Sequence, residues 1–157
     1  MVRAPNRLPR REIDAFLENK AHWIQSHLQK NSRNHAVKKL TEPELISLAA
    51  LSKQVLSEKT AHFAPAVGVT WGRITIRAQR TRWGSCSSKG NLNFNCLLML
   101  TPEYVQDYVV VHELCHRKEM NHSGKFWAEV KRVLPDYETA KLWLKENGTS
   151  LMARLPQ

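Results

Sequence analysis

The sequence predicts an α+β protein, with helices toward both ends and a small antiparallel sheet of about three strands between them. Two changes in hydrophobic period carry that prediction. Apolar residues recur every three or four positions up to about residue 62, alternate every second position between about 73 and 96, and return to helical spacing after 101. A third observation places the layers. The segment opening at Thr101 is apolar nearly all round (Tyr104, Val105, Tyr108, Val109, Val110, Val111, Leu114), so that helix is buried and the sheet packs on it.

Each element has its own signal. Residues 1–8 read as a basic tail. From Pro9 to Lys30, Ile13, Phe16, Leu17, Ile24 and Leu28 fall at helical spacing, and the polar, basic stretch from Asn31 to Lys39 is a connecting loop. Thr41-Glu42-Pro43-Glu44 is a capping box, and its helix is expected to run to about His62 and stop before Pro65. In the strands, Ile74 and Ile76 face one way and Arg73, Thr75 and Arg77 the other. Leu92, Phe94 and Cys96 then point inward, with Asn91, Asn93 and Asn95 outward. Thr101-Pro102-Glu103 starts the buried helix with Thr101 as N-cap. A further helix begins near Ser123 with Phe126, Trp127, Val130 and Val133, and Asp136 caps a last one closed by Asn147-Gly148. Trp23, Trp71, Trp127 and Trp143 are read as core or core-edge residues. The whole reads as one domain of 157 residues: the tail 1–8, a helical front part 9–65, and a part 66–157 that holds the sheet and the motif below.

Composition excludes several classes. With 42% hydrophobic and 24% charged residues the chain is ordinary globular material, not a disordered one. No apolar run approaches the ~18–20 residues that span a bilayer. The first residues lack the apolar core of a secretory signal, and Cys86, Cys96 and Cys115 are odd in number with no C-x-x-C pair. A cytoplasmic protein with reduced thiols is the expectation. The formal charge of +10 is uneven, with 16 basic and 6 acidic residues in 1–90 against 8 of each in 91–157. Such asymmetry suggests an anionic partner, nucleic acid first, or else a solvated basic face.

The chemistry is concentrated in Val111-His112-Glu113-Leu114-Cys115-His116. At about 100° of rotation per residue, positions four apart share a helix face, so both imidazoles reach one metal ion. Glu113 stands beside that face, where a carboxylate takes a proton from bound water. Burying two imidazoles and a carboxylate among valines without a partner costs several kcal/mol, on the order of the penalty for any unpaired buried polar group. Cys115 lies off the ligand face. A catalytic zinc takes three protein ligands and leaves one position open. The third ligand is His122 if the helix breaks near Asn121, or else Glu129 or Glu138.

Residues from about Arg80 to Gly148 closely resemble the YgjP-like metallopeptidase family, relatives of the SprT-type zincins. The matching stretches are Arg82-Trp83-Gly84-Ser85-Cys86, Asn91-Leu92-Asn93-Phe94-Asn95, His112-Glu113-Leu114-Cys115-His116, Asn121-His122-Ser123 with Phe126-Trp127, and Leu134-Pro135-Asp136-Tyr137. The resemblance implies a zincin-like fold, Zn2+ held by His112, His116 and His122, Glu113 as general base, and a peptide or unfolded protein as substrate. In zincin-like enzymes a sheet edge beside the metal helix aligns the peptide. Arg82, Trp83 and Ser85 are therefore candidate substrate-binding residues, although a core role suits Trp83 better. The rival reading is a nucleic-acid-associated zinc protein or a DNA-dependent protease using the basic surface of residues 1–90.

Overall fold

A computed structural model describes residues 8–25 and 37–156, and almost all of the expected tail and most of the 31–39 loop fall outside them. The chain divides into two compact units, Met1–Val37 and Lys38–Gln157. In the first, α1 (Arg10–Asn19) follows Pro9, and residues 21–25 are helical again. Trp23, expected near a core, is 58% exposed.

The second unit opens on α2 (Glu42–Val67), started by the expected capping box. The Thr41 N–H donates to Glu44 Oε2 (2.7 Å) and Thr41 Oγ1 accepts from the Glu44 N–H (3.4 Å). The helix does not stop before Pro65 but carries it in its last turn and ends at Gly68, whose φ of 79° is left-handed. A proline so near the end forfeits one backbone bond, too little to terminate a helix packed along its length.

Strands β1 (Ile74–Arg77), β2 (Gly84–Cys86) and β3 (Leu92–Asn95) form one sheet in the order β1-β3-β2. It is mixed rather than wholly antiparallel. β2 runs antiparallel to β3 with Gly84 opposite Phe94, but β1 runs parallel to β3 with Ile74 opposite Leu92. The reason lies in residues 78–83, which reverse the chain while leaving a strand-wide gap of two ~4.8 Å spacings that β3 then fills. Asn95, expected to face outward, is fully buried and holds that link. Its Nδ2 donates to the carbonyls of Gln79 (2.6 Å) and Arg82 (3.0 Å), and its Oδ1 accepts from the Leu97 N–H (3.1 Å). Cys96, expected on the strand, opens a 3-10 helix, Cys96–Leu100.

Helix α3 (Glu103–Cys115) is buried from Tyr108 onward on nearly every side, as its sequence requires, but Tyr104 in its first turn is exposed. Its N-cap is Pro102 rather than Thr101, because the Thr101 hydroxyl donates back to the Leu98 carbonyl (2.8 Å) and closes the 3-10 turn instead. Ser123 caps α4 (Gly124–Val133) by accepting from the Phe126 N–H. Helix α5 (Tyr137–Met152) runs straight through Asn147-Gly148, the pair expected to end it. Gly148 packs against Trp83: a Cβ there would meet the indole at 3.4 Å. Trp83 touches both the main core, which includes Leu56, Leu92, Phe94, Val110 and Phe126, and a smaller cluster of Leu40, Leu97 and Leu155. No helix among the described residues is long and apolar enough to cross a membrane.

Candidate metal centre

The two histidines of the motif leave α3 one turn apart, and their Nε2 atoms lie 3.3 Å from each other. Position 122 joins them because the chain turns sharply after Cys115. The amides of Arg117 and Lys118 bond back to Leu114 (2.9 Å) and Cys115 (3.0 Å), tightening the last turn. Arg117 pins the corner by donating to the carbonyls of Thr70 and Ser88, both at 3.1 Å. The chain bends at Asn121 without a left-handed residue, since among the described residues only Gly68 and Gly90 have positive φ. His122 returns to place its Nε2 3.0 Å from that of His112, and all three ligand atoms lie within 4.8 Å of one another.

The other candidates for third ligand are committed elsewhere. Glu129 pairs with Arg132 (2.9 Å) and Lys118 (3.2 Å), and Glu138 with Lys141 (3.5 Å). The three histidines are the one such group of potential ligands among the described residues.

The tautomer of His116 is set from behind. His116 Nδ1 lies 3.0 Å from the Glu119 carbonyl, which only accepts, so Nδ1 carries the proton and Nε2 presents its lone pair. The Tyr108 hydroxyl stands 3.5 Å from His112 Nδ1. Phe126 stacks on His116 and Trp127 on His122, with centroids 4.6 and 5.7 Å apart. Burial, reinforced by His116, His122 and Lys141, holds His112 far below the usual imidazole value, at about 3, and burial likewise lowers His116. Neutral imidazoles are the form that binds metal.

Glu113 is 5% exposed, and its Oε2 has no hydrogen-bond partner. Burial pushes this carboxyl up to about 8, with Arg82 pulling the other way. A neighbouring divalent cation would oppose that shift by favouring the charged form. Two of the three nitrogen separations, 3.3 and 3.0 Å, fit a tetrahedral ion. Two Zn–N bonds of about 2.0–2.1 Å at the tetrahedral angle separate their nitrogens by about 3.3 Å, and the donor set is all imidazole beside one orphaned carboxylate oxygen.

Arg82, Trp83 and Ser85 lie at or just before β2, an edge of the sheet. Arg82 is exposed, Trp83 is a half-buried wall of the core, and Ser85 Oγ accepts from Asn93 Nδ2 (3.1 Å). Two site features are absent from the expectations above. Tyr108 was open to detection by its position four residues before His112, whereas the Glu119 carbonyl leaves no mark in sequence.

Two solved structures share this arrangement of elements, both of metallopeptidase zymogens. That of Pyrococcus abyssi abylysin is 25% identical with a TM-score of 0.54, covering 65% of this chain and 100% of that one. That of Methanocaldococcus jannaschii jannalysin is 19% identical with a TM-score of 0.52, covering 59% of this chain and 95% of that one. No curated protein matches the chain in sequence. The fold is therefore that of zincin-like metallopeptidases. Residues 47–147 match the YgjP-like metallopeptidase domain, and the chain belongs to that family. It is a metal-dependent hydrolase of peptide substrates.

Proposed function

We propose that the chain is a zinc-dependent peptidase in which His112, His116 and His122 hold the ion and Glu113 is the general base. The convergence of three imidazole nitrogens beside a buried, unpartnered carboxylate carries this reading. Zinc bound there supplies Lewis acidity and a lowered pKa for its water. Glu113 takes up a proton on its carboxylate and gives it to the leaving nitrogen, and its burial keeps bulk water from competing for that proton. The outer edge of β2 offers a rail on which an extended peptide adds as a further strand. Arg82 and Ser85 flank that rail, and Trp83 supports it by packing on Gly148.

The test is Glu113→Gln. The variant is expected to keep its metal while hydrolysis of an unfolded protein falls by about 10²- to 10⁴-fold, the usual contribution of a positioned base. Full activity in the metal-loaded variant would remove Glu113 from the role.

A further inference from the structure

Strand β2 meets the base at a glycine, and we infer that Gly84 is a positioning residue for the reaction: its missing side chain is the space in which the Glu113 carboxylate is held. A Cβ at position 84 would lie 2.6 Å from Glu113 Oε1, 2.7 Å from its Cγ and 2.9 Å from its Cδ. The two carbon contacts are far inside the 3.5–4.0 Å optimum for carbon atoms, and the contact to oxygen is shorter still.

Backbone conformation does not call for glycine here, because positive φ is confined to Gly68 and Gly90 among the described residues. The requirement is for room. The strand has little freedom to retreat. Gly84 pairs with the fully buried Phe94, the Trp83 carbonyl accepts from the Asn95 N–H (2.8 Å), and the Arg82 carbonyl accepts from Asn95 Nδ2 (3.0 Å). Helix α3 is equally fixed, buried from Tyr108 onward on nearly every side. The one group with freedom to yield is the Glu113 side chain, which would swing away from β2. Edge strand and base are thus fitted to each other, and the strand proposed to align the peptide also sets where the proton acceptor stands.

This inference rests on the reading of Glu113 as proton acceptor, so its test has one arm that needs no catalysis. Gly84→Ala is made on the wild-type chain and on Glu113→Ala, and thermal midpoints are compared with metal content, kcat and KM. On the wild type it is expected to leave one metal per chain and KM within about threefold. The same substitution should lower kcat by about 100-fold, the scale of loss for a catalytic group displaced by about 1 Å. It is also expected to lower the midpoint by several degrees. On Glu113→Ala, where Cγ, Cδ and Oε1 are gone, it is expected to leave the midpoint unchanged. Should Gly84→Ala alone fail to fold, recovery of folding in the Glu113→Ala background is the expected result. An equal loss of midpoint in both backgrounds, or wild-type kcat in Gly84→Ala, overturns the inference. An absence of hydrolysis in the wild type with the midpoint coupling intact would instead overturn the role of Glu113 and leave the contact standing.

Discussion

Asn95 is a single side chain on which the position of β2, and through it the site, depends. It satisfies two carbonyls and one amide inside the protein. Asn95→Ala leaves those groups buried without partners and is expected to cost about 2–3 kcal/mol, read as a lower urea midpoint. Tyr108 stands against the back of His112. Tyr108→Phe is expected to weaken zinc about tenfold in a chelator competition, the mild end of losses from outer-shell partners. An unchanged affinity would show that the 3.5 Å contact does nothing for the ligand. The pair His112 and His116 was legible because helical spacing alone makes two imidazoles share a face. His122 is favoured over Glu129 and Glu138 by the family resemblance and a break in the helix rather than by spacing, since its direction depends on a corner made by Arg117 reaching Thr70 and Ser88, distant in sequence.

Helix α4 is the element that carries the aromatic residues stacked on His116 and His122, and one carboxylate ties it down. Glu129 is held below the usual carboxylate range by Arg132 first and then Lys118, and its charge adds to burial, the main cause, in raising the Cys115 thiol. Because the folded value is depressed, this contribution is complete above the ordinary carboxylate pKa of about 4.3 and is lost as pH falls through the lower folded value. Glu129→Gln is therefore expected to flatten the acid limb of a stability–pH profile and leave the slope above pH 6 unaltered. A profile with an unchanged acid limb would refute the link. Most element types were readable, because the periods of 3.6 and 2 are strong in α2, α3, α4 and the strands. Connection and termination were not. Pro65 reads locally as a stop, yet packing carries α2 past it. Gly148 reads as an end, yet the helix continues through it to Met152. Strand order was hidden because it depends on Asn95 gripping a link, a contact that no local pattern announces.

At the scale of the whole molecule, the basic surplus of residues 1–90 has partial uses inside the protein. Lys39 donates to the Ala153 carbonyl (2.6 Å), Lys53 to that of Ile74 (2.6 Å), and Arg80 to that of Pro156, while Lys59 bridges Glu103 and Asp107. Part of the charge that suggested an anionic partner therefore ties elements together. The metal is expected to act at the same scale. An ion that binds only the folded chain adds about 2.7 kcal/mol when present at a hundred times its dissociation constant. The central claim is that three imidazoles grip one divalent cation, and metal analysis of the purified chain beside His122→Ala tests it most directly. One zinc per wild-type chain, falling to a small fraction in the variant while the fold is retained, is the expected result. Equal zinc in both proteins, or none bound by the wild type from a zinc-containing buffer, would contradict it.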